Sequence, residues 1–400
     1  MRISSNTIFD SNVAALNQQQ ARLLQTQQQI ASGKRLLNAS TDPIAATRVL
    51  DIAQSDASNT QQTSNRSAAR HTLSLAESTL QSVTSLIQDV RTATVYAGNG
   101  ALNNSDRSTL ATDLSGRLQE LIGLANSTDG VGNYLFSGFQ SKTQPFVDTP
   151  AGMGYFGDDG QRMAQVGSGR QMAANDGGAD VFMRIKNGNG TFVTQATAGN
   201  AGSGVIGAGA LTDPALLTGN NYSVSFSVLA GTTSYSVTNT TTGLPVAGMT
   251  AQPFVSGQSI AFDGMRFDIQ GAPADGDSYT IAPSTNESVF KTIADLITTL
   301  NTPVVGANLT NGLRLGLNNL DNALDNVLNV RATLGLRLGE IDALQVAGEN
   351  LGLQFKQTLS ELQDTDYNKA ISDLTQQQAT LQAAQQSFTK VSGLSLFNYM

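Results

Sequence analysis

His71 is the only histidine in the 400 residues, and no cysteine accompanies it. A zinc site built from several imidazoles or thiolates, a thiol nucleophile and a disulfide are therefore all out of reach. Any Ser-His-Asp arrangement would have to be built on His71. That residue stands in SAARHTLSLAES with no nucleophile signature beside it, where a solvated helix position is the plainer reading. Gly202-Ser203-Gly204-Val205-Ile206-Gly207 has the spacing of a dinucleotide fingerprint. The fingerprint needs a strand before it and a helix after it. Pro214 closes this segment instead, so a flexible glycine loop is expected. Asp275-Gly276-Asp277, with Asp158, Asp159 and Asp176, offers hard oxygen donors that a cation could use. Asp and Gly are also what turns require, so cation binding stays open at this point. Paired carboxylates for glycoside chemistry are positioned in three dimensions and stay open too, although a Gly-rich zone with few aromatics makes a poor sugar cleft. No Walker loop, H-E-x-x-H or nucleophile elbow is present. The expectation is a non-enzyme with no catalytic residue, no cofactor and no metal.

The charge balance narrows the partners. A formal net charge of −8 without clustered Lys or Arg argues against nucleic acid. No uninterrupted apolar run is long enough to span a bilayer, so no membrane partner is expected. The opening MRISSNTIFDSNVAALNQQQ lacks an apolar core, and no secretory signal is expected there.

What must position any functional residue is set by glycine and proline. Of 39 glycines, 24 lie between Gly138 and Pro283, with six of the nine prolines strictly inside that span. Such a zone cannot be helical. It alternates instead: Tyr222, Val224, Phe226, Val228; Tyr235, Val237; Ile260, Phe262; Phe267, Ile269; Tyr279, Ile281. Period two broken by turn residues predicts short antiparallel strands. Met153 to Leu217 has a weaker pattern and reads as loops with a few edge strands.

Both flanks step by threes and fours. Helices are expected from Asn6 to Ala31, with Gly33 as the stop, and from Pro43 to Tyr96, opened by Asp42-Pro43. The second would run roughly 80 Å, which suits a rod better than a globule. Its core ladder is Leu73, Ala76, Leu80, Val83, Ile87, Val90. A third helix is expected from Asp106 to Asn126. After the β zone, Ser284 and Glu287 have capping-box spacing ahead of Val289, Ile293, Leu296 and Leu300, and Pro303 ends that helix. A long ladder from Leu313 to Leu362 slips near Leu344, and a last helix runs from about Asp366 to Val391.

The two ends match. Val13, Leu16, Gln20, Leu23, Gln27, Ile30 and Ile371, Leu374, Gln378, Leu381, Gln385, Phe388 have one three–four spacing, with apolar and glutamine sites coinciding. That spacing specifies a left-handed coiled coil, so these twelve residues are read as an antiparallel assembly seam. The plainer alternative is two amphipathic helices lying on a globular core. Four apolar residues per helix are few against a backbone cost of about 1–2 kcal/mol per ordered residue. The pair is therefore expected to be disordered until neighbouring subunits add contacts. The fold class expected is α+β: a long antiparallel helical bundle formed by both termini, with a central all-β insertion. Three domains follow: residues 1–42 with 364–400, residues 43–137 with 284–363, and residues 138–283.

Two segments carry a family resemblance. QQIASGKRLLNASTDPIAAT, from Gln28 to Thr47, and SELQDTDYNKAISDLTQQQATLQAAQQSF, from Ser360 to Phe388, resemble the N- and C-terminal segments of the flagellin superfamily of bacterial flagellar axial proteins. The opening Met1-Arg2-Ile3-Ser4, the stretch NYLFSGFQSKTQPF from Asn133, RATLGLRLGEID from Arg331 and the ending LSLFNY before Met400 are similar to its hook-associated branch more than to flagellin. The resemblance covers both helical flanks and is weak across the β zone. It implies a structural subunit adapting hook to filament, with flagellin itself as the alternative. It further implies export unfolded through the flagellar type III channel, with a cytoplasmic chaperone holding the C-terminal helices. The implied neighbours are the first hook-associated protein, flagellin and other copies of this chain in a ring.

Overall fold

The computed structural model describes residues 5–302 and 306–394. The sequence signals at positions 1–4, 303–305 and 395–400 lie outside these residues. The chain divides into two compact units, Met1–Ser64 with Ala343–Met400, and Asn65–Asp342. These boundaries differ from the three-domain expectation, because the β zone and its flanking helices share one compact unit.

The first unit holds α1 (Ser5–Ser32), the opening of α2 (Pro43–Ala97), the close of α6 (Ala307–Gln363) and α7 (Tyr367–Leu394). Gly33, at φ +71°, ends α1 in the left-handed region where a side chain is strained. Asp42 starts α2, its Oδ1 accepting from the Ala45 N–H at 3.0 Å. Asp366 does the same for α7 through Lys369 N–H at 3.1 Å.

In the second unit the six-residue ladder on α2 is buried throughout. α3 (Asn104–Ala125) packs on α5 (Val289–Asn301). A capping box at Asn103 and Asp106 starts α3, two residues before its expected start. α5 requires a larger correction. Its N-cap is Ser288, whose Oγ accepts from Lys291 N–H at 3.1 Å, and not Ser284. Ser284 Oγ donates to the Asn187 carbonyl at 2.8 Å, and Asn286–Glu287 pairs as a strand with Ile185–Lys186. The backbone is thus still in a ladder where the capping-box spacing would have begun a helix. α6 shows no break near Leu344. Its buried Leu313, Leu320, Val327, Leu334 and Ile341 recur every seven residues.

The β zone opens with two hairpins, β1 (Phe146–Thr149) with β2 (Gly152–Tyr155) and β3 (Met163–Gly167) with β4 (Arg170–Ala173), then a single helical turn, α4 (Gly178–Phe182). Phe136, Phe146, Phe182 and Phe290 cluster there at 5.2–5.9 Å between ring centroids. After β5 (Ile185–Lys186) come β6 (Phe192–Ala196), β7 (Val205–Ile206), β8 (Ala210–Leu211), β9 (Tyr222–Leu229), β10 (Thr232–Asn239), β11 (Leu244–Pro245), β12 (Gln252–Pro253), β13 (Ser259–Phe262), β14 (Met265–Gln270), β15 (Ser278–Pro283) and β16 (Asn286–Glu287). A six-stranded sheet has the order β11-β10-β9-β15-β6, with β12 also on β10. β13, β14, β7 and β8 form a second sheet. The alternating residues of both sheets, from Tyr222 and Val224 to Tyr279 and Ile281, share one core. Each two-residue edge strand on β10 ends in a proline, Pro245 or Pro253.

Asparagines on α6 tie this β zone to the helix. Asn311 accepts from Ile206 N–H and donates to Gly204 O, both at 3.0 Å. Asn319 accepts from Gly188 N–H at 2.9 Å. Asn322 reaches the Lys186 and Gly188 carbonyls at 2.8 Å, and Asn326 those of Asp180 and Val181 at 2.9 Å.

Candidate assembly interface

The acidic and glycine-rich residues singled out above are engaged in structural contacts, whereas the lone histidine is not buried in a site. His71 is exposed on α2. Asp158 accepts from the Phe139, Gln140 and Gly160 N–H groups at 2.8–3.1 Å. Those donors, Phe139 foremost, hold its carboxyl below the ordinary 3.8 despite some desolvation. Asp159 pairs with Arg184 and Asp176 with Arg337. Asp277 is buried under the Ala201, Gly202 and Ala274 N–H groups at 2.7–3.1 Å, and Asp275 braces Val228 N–H. The Gly202–Gly207 segment is no flexible loop. A Cβ on Gly202 would lie 2.3 Å from Ala274 N, and Gly204 O accepts from Tyr279 Oη at 2.9 Å. Among the described residues no three His, Cys, Asp or Glu side chains are grouped to hold a metal ion.

The paired ends are the feature left to act. α1 and α7 pack against each other antiparallel, with Phe9 and Phe388 at 5.3 Å between ring centroids. Val13, Leu16, Leu23, Ile30, Leu374, Leu381 and Phe388 fall on the half-buried side, as the seam requires. Gln20, Gln27, Gln378 and Gln385 do not: all four are exposed, and Ile371 is 53% exposed. The inward positions between the apolar ones are Gln19 and Thr26 on α1, and Ala370, Gln377 and Ala384 on α7. The glutamine sites of the expected seam are therefore off by one residue. Each end carries a run of three glutamines, and within Gln18-Gln19-Gln20 or Gln376-Gln377-Gln378 composition cannot tell which one faces in. Ala370 and Ala384 were the available signal, being small residues spaced to continue the apolar stripe.

Polarity inside this pair is unevenly satisfied. Thr26 is buried and returns its hydroxyl to the Arg22 carbonyl at 3.1 Å. Gln377 Oε1 is buried with no hydrogen-bond partner. The outward side is nearly without charge: from Leu374 to Thr389 there is no ionisable residue, and from Ser11 to Ile30 only Arg22. Apolar side chains are left uncovered, including Phe9, Leu24, Tyr367 and Ile371, each more than half exposed. A sparsely charged helix pair with exposed apolar side chains is suited to burial against further subunits.

The pair is closed at one end by a clasp between segments 327 residues apart. Arg35 N–H donates to Gln363 O at 2.6 Å, and its Nη2 to Leu362 O at 2.9 Å. Thr365 N–H donates back to Gly33 O at 2.9 Å, and the backbones of Lys34 and Asp364 form an isolated antiparallel bridge. Gln29 Nε2 donates to Arg35 O at 2.9 Å. Arg35 thereby caps the C-terminal carbonyls of α6 from the other end of the chain.

Comparison with known proteins follows this layout. Residues 3–141 match the bacterial flagellin N-terminal helical region, and residues 195–283 match the D2-like domain of flagellar hook-associated protein 1. Flagellar hook-associated protein 3 of Salmonella typhimurium is 31% identical over 402 residues, covering 99% of each chain. The crystal structure of the flagellar junction protein FlgL from Legionella pneumophila superposes with a TM-score of 0.71 at 30% identity, covering 80% of this chain and 100% of that one. FlgL of Xanthomonas campestris gives 0.71 at 29%, covering 77% and 99%. Flagellin of Listeria monocytogenes matches over 130 residues only, 32% of this chain, at 28% identity. The likeness to hook-associated protein 3 runs through both helical ends and the β zone between them, and the chain belongs to the flagellar hook-associated protein 3 family.

Proposed function

We propose that this chain is a structural subunit of the bacterial flagellum that adapts the hook to the filament and acts by shape, without catalysis. The observation that carries the reading is the α1–α7 pair, sparsely charged on its outer side and carrying uncovered apolar side chains at both ends of the chain. The proposed neighbours are the first hook-associated protein on one side, flagellin on the other, and further copies of this chain in a ring. A cytoplasmic export chaperone is proposed to hold the C-terminal helices before secretion, giving a transient cytoplasmic pool.

Deleting the gene tests the reading. The expected result is hooks that assemble normally, with flagellin shed unpolymerised into the medium. Filaments growing from hooks without this chain would overturn it. Purified chain that grew unaided into long filaments would assign it to the filament instead.

The same reading proposes that the terminal helices order fully only on assembly, since Gln19, Thr26 and Gln377 dilute their seam. Limited trypsin digestion of the monomer should leave a core starting near Arg35 or Arg48 and ending near Lys356 or Lys369. An uncut chain, under conditions that cleave a flexible reference peptide, contradicts it.

A further inference from the structure

The large apolar residues of the α1–α7 seam do not by themselves define a register. Its large apolar residues recur every seven residues on both helices: Leu16, Leu23 and Ile30 on one, Leu374, Leu381 and Phe388 on the other. Sliding α7 by seven residues therefore sets these large side chains apolar on apolar again. A buried polar layer commonly prevents such slips when its members bond each other. Here the inward Gln377 leaves its Oε1 without a partner, so that oxygen does nothing to hold the register. The clasp, by contrast, occurs at one register alone. Gly33 has the left-handed φ of +71° that its turn needs, and Tyr367 Oη would lie 3.1 Å from a Cβ there. Arg35 makes two of the clasp's bonds, and its side chain alone reaches across to Leu362 O.

We infer that the clasp between Gly33–Arg35 and Leu362–Thr365 selects the register of the terminal helix pair, with Arg35 as its positioning residue. This rests on the assembly reading above, because register decides which side chains the pair turns outward to its neighbours. A chain folding from its unfolded state has to find this register. The clasp supplies a local, sequence-unique contact for that choice.

The cysteine-free sequence makes the test direct. Phe9 beside Phe388 and Lys34 beside Asp364 place Leu16 level with Leu381. Full-length chains carrying Leu16→Cys with Leu381→Cys report the native register; Leu16→Cys with Leu374→Cys reports a slip of seven. In a glutathione buffer a pair that opens and recloses is trapped according to its populations. With Arg35 present, the native product should dominate. With Arg35→Ala the slipped product should rise, and with Arg35→Pro, which also removes the N–H donor, it should approach on the order of half of the total, as two near-degenerate registers require. Arg35→Lys, retaining one cationic donor, should restore most of the native product. Leu23→Ala is the control: it should lower total cross-linking and helix content while leaving the ratio unchanged. An unchanged ratio in both Arg35→Ala and Arg35→Pro, or an equal shift in Leu23→Ala, overturns the inference. The readout is made on the purified chain, so it fails or succeeds separately from the gene-deletion result.

Discussion

Arg331 on α6 and Glu77 on α2 meet across 254 residues of sequence, with Nη2 2.7 Å from Oε1 and Nε 3.1 Å from the same oxygen. Nη1 of Arg331 also reaches Thr84 Oγ1 at 3.3 Å. Both partners are less than a third exposed, so solvent screens the pair only in part. Replacing one partner leaves the other charge poorly compensated. Arg331→Met should destabilise the chain by about 1–3 kcal/mol, below the cost of breaking a fully buried pair. A urea-melting double-mutant cycle with Glu77→Gln should show coupling well above that of an exposed ion pair, such as Arg70–Asp342.

Asn319 is the second place where one side chain holds distant backbone. It accepts from Gly188 N–H and donates to Glu287 Oε1 at 3.1 Å, and it is only 6% exposed. Asn319→Ala strands a buried donor and should cost about 1–3 kcal/mol in thermal or urea unfolding. Replacement with leucine should be no better, since apolar volume supplies no acceptor for Gly188.

Glycines within α6 should respond in opposite directions. A Cβ on Gly316 would lie 2.3 Å from Leu296 Cδ2, whereas nothing lies within 4 Å of one on Gly335. Gly335→Ala should stabilise by roughly the helix-propensity difference, about 0.8–1 kcal/mol. At Gly316, overpacking of about 1–3 kcal/mol opposes that gain, and Gly316→Val should lower the melting temperature. Equal melting shifts for Gly316→Val and Gly335→Val would remove the packing argument.

Asp158 sets an acid-side prediction. Its carboxyl is held below the ordinary 3.8, chiefly by the Phe139 N–H with help from Gly160 and Gln140. A depressed folded value means the contribution is complete above 3.8 and is lost as pH falls through that lower value. The melting-temperature gap between the wild type and Asp158→Asn should therefore be constant near neutrality and close only below pH 3.8. A gap that closed above pH 5 would point to some other group.

Inward and outward glutamines of the α1–α7 pair should respond differently to leucine. Gln19→Leu with Gln377→Leu places leucine at inward sites and should stabilise the α1–α7 pair by up to about 1.5–3 kcal/mol per site, seen as a gain in monomer helicity by circular dichroism. Gln20, Gln27, Gln378 and Gln385 are exposed, so their leucine variants should leave monomer helicity unchanged and promote self-association in sedimentation.

These corrections show where the sequence was legible. The α2 ladder from Leu73 to Val90 and the strand residues from Tyr222 to Ile281 could be read because burial follows a period of 3.6 or 2 over many residues. The seam's apolar positions were legible for the same reason. Its polar positions were not, since three adjacent glutamines carry no periodicity. Ser284 misled because a capping box is local, while the Asn187 carbonyl that takes its hydroxyl is 97 residues away. The asparagines of α6 were illegible on principle. Asparagine is a poor helix former, and only the folded β zone shows which carbonyls it meets.

Pro245 and Pro253 have a consequence beyond their own strands. Each stands on the outermost strand of the six-stranded sheet, where a residue with an N–H would offer a donor to any passing chain. In the ring proposed above, identical sheets would be held side by side at very high local concentration. Strands with open edges would then have every opportunity to zip into one another, turning an ordered collar into an amyloid-like seam. Two imino acids withhold the donors at that rim, so crowding can bring neighbours close without fusing their sheets.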